Sequence, residues 1–219
     1  MASAPHIART RNGVSTRASI EKEALRLFAQ KGVEGTTIRD LALAVGVADA
    51  ALYRYFSSKE EMAAALFAAH YGALAHSIEE IGAGDAPFAD TLGALVDLLC
   101  GLFDDAPDLF HFILLNQHAY LRFVRDDANA VESLRAIMHA AHERGETSIA
   151  DSELAAAMAL GAVLQPCVFK LYGRLPGLMR DRAKELTESV LRLLRAPATQ
   201  STLENRPTKD SIRAPAQKP

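Results

Sequence analysis

Cysteine is scarce: Cys100 and Cys167 are the only two in 219 residues, with no C-x-x-C spacing. That usage suits a reducing compartment, and both thiols read as buried packing groups rather than a metal or redox pair. No run of alternating β-branched and aromatic residues is long enough for a strand, which excludes a sheet-built fold. The start, Met1-Ala2-Ser3-Ala4-Pro5-His6, lacks the apolar stretch of a secretory signal, so a cytoplasmic location is expected. The longest nearly apolar stretch, Leu154 to Leu164, is about half of the roughly 20 residues a membrane span requires. Gln165 and Pro166 are read as its end, so no membrane partner is expected. Catalytic signatures are missing too: no G-x-S-x-G, no P-loop, no H-E-x-x-H. Gly82-Ala83-Gly84 lacks the third glycine and the preceding strand of a dinucleotide site. Neither enzymatic activity nor a cofactor is expected. A formal net charge of −3 argues against indiscriminate nucleic-acid binding.

What is present is helical periodicity, and 49% hydrophobic residues suffice for a buried core. The fold class is all-α, with no repeat period. Residues 1–15, small, polar and basic, read as a flexible arm, and residues 197–219, with Pro197, Pro207, Pro215 and Pro219, read as a disordered tail. Between them the pattern predicts a first domain over residues 16–62 and a second over 63–196. Charge is divided the same way: residues 1–60 hold nine Lys/Arg against six Asp/Glu, a net of +3, which leaves −6 for the rest. Confining positive charge to one end is expected where only that end meets phosphate.

In the first domain a helix is predicted from about Arg17 to Lys31, with Ile20, Ala24, Leu27 and Phe28 on one face and Gly32 as its stop. Thr37 caps a second helix, in which Ile38, Leu41 and Val45 share a face, and Gly46 ends it. A third helix is predicted over Asp49–Phe56. Ser58 and Glu61 then form a capping box, the Glu61 carboxylate reaching back to the Ser58 amide, and open a long fourth helix. Two short helices joined by a glycine turn are what a helix-turn-helix requires. Ala42 allows close approach, Gly46 the sharp turn, and Val47 with Leu52 a miniature core that fixes the angle. Ala50, Ala51, Tyr53, Arg54 and Tyr55 then lie on the free face of the third helix. Arg54 suits bidentate reading of guanine, while the tyrosine hydroxyls and the Lys59 ammonium suit phosphates.

Gly35-Thr-Thr-Ile-Arg-Asp-Leu-Ala42, Val45-Gly-Val47 and Ala51-Leu-Tyr-Arg-Tyr-Phe-Ser-Ser-Lys-Glu-Glu-Met62 resemble the DNA-binding domain of the tetracycline-repressor (TetR/AcrR) family. The resemblance covers roughly Arg17 to Leu66; the later sequence agrees only in its helical pattern. It implies a homodimeric, usually repressing transcriptional regulator, released by a small-molecule effector from a double-stranded, palindromic DNA operator. Carried over by position, Thr37, Ala50, Ala51, Tyr53, Arg54, Tyr55 and Lys59 match DNA contacts, and Arg17 is grouped with them. Ala48 departs from the pattern: similar proteins have Ser or Thr there, so Asp49 is left to cap the third helix.

In the second domain helices are predicted over Phe88–Phe103, Asp108–Phe123, Asn129–Arg144, Ser152–Tyr172 and Leu178–Arg195. A largely apolar interior with a few polar groups describes a small-molecule pocket. Its candidates are Phe67, His70, Tyr71, Cys100, Phe103, His111, Asn116, His118, Tyr120, Cys167 and Phe169; an ordinary core with internally satisfied polar atoms explains them as well. His139 and His142 share a helix face, but nothing near completes a metal site, so no metal is expected. Small residues from Leu154 to Leu164 and an apolar stripe of Leu186, Val190, Leu193 and Leu194 offer a dimer surface, or else complete the monomer core. The rival readings are an all-α ligand carrier or enzyme with a helix-turn-helix-like start, and a ligand-independent DNA binder, which a sealed interior would favour.

Overall fold

The computed structural model of the protein describes residues 7–115, 120 and 129–195, with side chains from residue 16 onward. Helix α1 spans Ile7–Lys31. The backbone is therefore helical ten residues before Arg17, which corrects the expected flexible arm up to residue 15. Among the residues whose side chains are described, the stripe that buries α1 runs through Ile20, Ala24, Leu27 and Phe28.

Helix α2 (Ile38–Val45) starts at Thr37 with a full capping box: the Thr37 hydroxyl accepts from the Asp40 amide at 3.1 Å, and the Asp40 carboxylate accepts from the Thr37 amide at 3.0 Å. Gly46, at φ 75°, ends it in the left-handed region, and the Gly46 and Val47 amides donate to the Ala42 carbonyl at 2.9 and 3.0 Å. A side chain there would strain the turn that sets α2 against α3. Helix α3 is only Asp49–Leu52. The predicted continuation to Phe56 is instead a hydrogen-bonded turn, in which the Tyr55 and Phe56 amides both donate to the Leu52 carbonyl.

Helix α4 (Lys59–Gly82) is a 24-residue strut, about 36 Å long at 1.5 Å per residue. The Ser58 hydroxyl caps it by accepting from the Glu61 amide at 3.0 Å, but the Glu61 carboxylate reaches the amide and hydroxyl of Ser57, not the Ser58 amide. Because α4 crosses residues 62 and 63 without a break, one contiguous core runs from Ile20 to Leu194. Its far end meets α7 so closely that a Cβ on Gly82 would lie 2.6 Å from Ile137.

Helix α5 (Phe88–Asp105) leads to α6 (Pro107–Phe110) and a single π turn, His111–Leu115, where one continuous helix from Asp108 was expected. Helices α7 (Ala130–Glu143) and α8 (Ser152–Leu171) follow. Pro166 does not end α8; losing one amide donor costs the helix a hydrogen bond without stopping it. At mean hydropathy 1.7, α8 is long and apolar enough to cross a membrane by length and composition alone, although its Ala155, Ala156, Ala159, Val163 and Cys167 face is buried against the rest of the chain. A 3₁₀ turn (Arg180–Arg182) precedes α9 (Ala183–Leu194), so the last helix starts later than the predicted Leu178. The cause is Asp104 of α5, whose carboxylate accepts from the Met179 and Arg180 amides at 3.0 and 2.9 Å and holds that segment out of the helix. Every regular element among the described residues is helical.

The start of α5 has no cap of its own, because Pro87 supplies no side-chain acceptor. Glu146, from the loop before α8, accepts from the Phe88 amide at 2.6 Å. The Arg144 hydrogen bond, aided by the Phe88 amide and by the charges of Arg144 and Arg195, holds this carboxyl below its ordinary value of 4.5 against some desolvation. A carboxyl with a lowered folded-state pKa stabilises the fold above its unfolded value and loses that contribution as pH falls through the folded one. Denaturant midpoints should therefore decline on acidification below about pH 4.5, and Glu146→Gln should flatten that decline; an unaltered acid limb would remove Glu146 from the account.

Candidate nucleic-acid interface

The first three helices bury Ile20, Leu27, Phe28, Leu41, Leu52 and Phe56, which leaves the outer side of α3 uncommitted. Ala50 is exposed and Ala51 half-buried at its start; Tyr53 and Arg54 are exposed just past its end, and Tyr55 is half-buried. Arg54 forms no hydrogen bond or ion pair with any described residue, and the same is true of Arg39, exposed in the first turn of α2. Two unpartnered guanidinium groups beside small side chains suit both modes of DNA contact, base edges and phosphates. Sequence reasoning missed Arg39; its signal was its place on α2 opposite the Leu41–Ala42 face.

Other candidates are engaged within the protein. Lys59 directs its ammonium at three carbonyls, those of Val33, Glu34 and Thr36, at 2.9, 3.1 and 2.9 Å. All three ammonium protons are used, and its side chain is only 20% exposed. In the chain alone, the group expected to hold a phosphate closes the loop between α1 and α2. Arg17 donates to Glu21 at 2.8 Å and lies 5.7 Å from the Phe56 ring centroid, tying α1 to the end of the recognition segment. The Thr37 hydroxyl is occupied by Asp40, which it also donates to at 2.9 Å. Asp49 does not cap α3; Ala48 holds the cap position without a side-chain bond, and Asp49 is the first helical residue.

The candidate pocket residues separate into groups. Phe67 and Tyr71 are buried on α4 and stack at 5.1 Å; Phe67 also meets Tyr120 at 5.4 Å and Phe112 at 6.0 Å, and Phe112 meets Phe28 of α1 at 5.9 Å. This aromatic chain joins α1, α4 and the π turn. Cys100 and Cys167 are buried, and burial pushes their thiols up to about 11 and about 12, so both stay protonated and unreactive at neutral pH. Phe103 packs edge-on against Phe110. His70 faces a groove between α1 and the start of α6, where burial lowers its pKa against the pull of Glu21, and His111 is half-buried on the π turn. Phe169 is corrected: it is 47% exposed on the outside of α8, beside Tyr172, because the buried face of that helix is the one carrying Cys167. Asn116 and His118 lie outside the described residues.

A cavity of about 40 Å³ lies among α4, α5, α7 and α8, its described walls including Tyr71, Leu74, Leu95, Leu99, Leu134 and Leu160. Of the described candidates only Tyr71 lines it. No group of three His, Cys, Asp or Glu side chains is placed to hold a metal ion among the described residues.

Two short helices set by a left-handed glycine, with an outer face whose arginines pair with no described residue, form a helix-turn-helix within a body whose described elements are all helical. Residues 20–66 match the bacterial regulatory proteins of the tetR family. Among curated relatives, the HTH-type transcriptional repressor KstR2 of Rhodococcus jostii (strain RHA1) is 38% identical over 73 residues, 33% of this chain and 36% of that protein. The HTH-type transcriptional regulator TcmR of Streptomyces glaucescens is 38% identical over 79 residues, 36% and 35% of the two chains. The chain thus aligns with about a third of the length of these relatives. Among solved structures, the TetR family transcriptional regulator PfmR from Thermus thermophilus superposes with a TM-score of 0.65 at 26% identity, covering 79% of this chain and 97% of that one. The similarity to the tetR family is carried by residues 20–66.

Proposed function

We propose that the protein is a sequence-specific, DNA-binding transcriptional regulator, a repressor released from its operator by a small molecule. The observation that carries this reading is the unpartnered Arg54 on the bare side of the α2–α3 pair, within the region that matches the family. Its similarity to proteins named as transcriptional repressors supports repression over activation. Such a regulator works where the chromosome is, in the cytoplasm, and performs no catalysis.

The functional unit in this reading is a homodimer. Leu154, Phe169, Leu171 and Tyr172 along and just past α8, with Leu193 on α9, are exposed in the single chain. Apolar groups concentrated on one pair of helices call for a partner, and a second copy related by a two-fold axis supplies the same face. Two recognition segments then meet successive major grooves about 34 Å apart, or a multiple of that, which makes the operator palindromic. Of the residues predicted for this surface, Ala155, Ala156, Ala159, Val163, Val190 and Leu194 complete the monomer core, and only Leu154 and Leu193 are among those left exposed for a second copy.

Base reading in this account rests on Arg54, with Arg39, Tyr53 and Tyr55 holding phosphates. Arg17 and Lys59 are positioning residues. Binding to DNA upstream of the protein's own gene, at fixed salt, tests this: Arg54→Ala should cost about 1–3 kcal/mol on the preferred sequence and relax selectivity at one position. Selective binding untouched by the substitution would move base reading elsewhere, and no selective binding on any chromosomal fragment would favour a carrier.

A further inference from the structure

The outer side of α3 carries a carboxylate that the fold does not use. Asp49, the first residue of α3, is exposed, and the cap position before it, Ala48, makes no side-chain bond. Neighbouring carboxylates are engaged: Glu21 with Arg17, Glu23 with Arg26, Asp40 with Thr37 and Glu61 with Ser57. Asp49 forms no hydrogen bond or ion pair with any described residue. It stands between the exposed Ala48 and Ala50, with the unpartnered Arg54 five residues further on. Residues 1–60 carry a net charge of +3, and an unpaired acid on this side works against that charge. It repels phosphate whatever the sequence, and it loses hydration when a duplex covers it. A base that donates a hydrogen bond to the carboxylate offsets both costs.

The major groove narrows the choice of base. Cytosine offers its N4 amino group there, whereas guanine offers two acceptors, and thymine an acceptor and a methyl group. Adenine sets its N7 acceptor beside its N6 donor, and N7 repels a carboxylate oxygen. An aspartate side chain is short, so its backbone has to come close to the base edge, and the single methyl groups of Ala48 and Ala50 leave room for that approach. We infer that Asp49 is a specificity-determining residue, which reads a cytosine in each half-site and weakens binding to DNA that lacks it. The inference rests on the DNA-binding reading above and adds to it a second base reader of opposite polarity: Arg54 selects by donating, Asp49 by accepting. Part of its effect is repulsion, since specificity is a difference of affinities and a penalty at wrong sites widens that difference.

The test selects sites from a random double-stranded DNA library with the purified full-length protein at fixed salt, then repeats the selection with Asp49→Ala and Asp49→Asn. The parent should prefer cytosine at one position of each half-site by about 5- to 100-fold. Asp49→Ala should flatten that position. Asp49→Asn should move it to adenine, which an amide meets at both N6 and N7, while the guanine assigned to Arg54 keeps its preference. Binding to DNA of unrelated sequence should tighten by about two- to tenfold in both variants, because a charge opposed to phosphate is gone. Melting temperatures should be little changed. Asparagine has nearly the shape of aspartate, so the comparison stands if the alanine variant does not fold. A base preference unaltered by either substitution would overturn the inference and leave the regulator intact. Weaker binding on every sequence alike, with a lowered melting temperature, would overturn it too, by showing that Asp49 serves the fold. A parent protein that selects no sequence at all sinks the regulator, and this inference with it.

Discussion

Phe169→Glu is expected to yield a folded monomer whose operator affinity is about 10²- to 10⁴-fold below that of the parent protein. The monomer should tolerate the change, because Phe169 is 47% exposed on the outside of α8 and contributes little to the core. In the proposed dimer the same position would be covered, and a carboxylate there would lose its hydration. Two-fold symmetry places the penalty on both chains at once. Once the chains separate, each recognition segment must find its half-site alone, and the gain from tethering the second contact to the first is lost. Light scattering gives the mass and an operator titration the affinity. A variant that stays dimeric, or a monomer that binds the full operator as tightly as the parent, would show that the outer face of α8 is not the interface.

Lys59→Met is expected to destabilise the first domain by about 2 kcal/mol and to weaken operator binding together with it. Three charge-assisted hydrogen bonds end on one ammonium, and they stitch the carbonyls of Val33, Glu34 and Thr36 to the first residue of α4. The buried Thr36 adds its own hydroxyl bond to the Gly32 carbonyl at 2.7 Å. This loop fixes where α2 begins, and so the angle at which α3 is presented. Arginine should not rescue the change, since a planar fork cannot serve three carbonyls arranged around a single point. Salt dependence separates this role from direct phosphate binding. Loss of a phosphate contact lowers the slope of log Kd against log salt by about one unit. Loss of a positioning lysine leaves the slope of the remaining folded protein unchanged and lowers its melting temperature. A lower slope with unchanged stability would return Lys59 to the DNA interface.

The contrast between Lys59 and Arg54 marks how far the sequence could be read. Residues whose roles are local were legible. The Thr37 cap, the Gly46 stop and the Ser58 cap depend on neighbours within four positions, and each lies where the pattern put it. The buried stripes of α1 and α4 were legible for the same reason, since helical periodicity survives in one dimension. The carbonyl contacts of Lys59 were not legible because its acceptors lie 23 to 26 residues earlier, and nothing in the order of residues announces that separation. Two other long-range carboxylate contacts were equally hidden: Glu146 reaching the start of α5, and Asp104 delaying the start of α9. Phe169 was placed inside because its helix is apolar on several sides, so hydrophobicity could not say which side faces the core. The cavity escaped for a related reason. Its described walls are mostly ordinary aliphatic side chains from several helices, whereas the candidates chosen from sequence were the polar and aromatic residues, and of the described ones only Tyr71 reaches it.

The central claim is that two copies of this chain read a symmetric DNA site through the segment from Asp49 to Arg54. Hydroxyl-radical footprinting of the purified protein on its upstream DNA, with stoichiometry measured in parallel, tests this most directly. The account predicts two protected half-sites related by a dyad, centred about 34 Å apart or at a multiple of that distance, with two chains bound. A single unpaired footprint carrying one chain, or protection that does not depend on sequence, would contradict it.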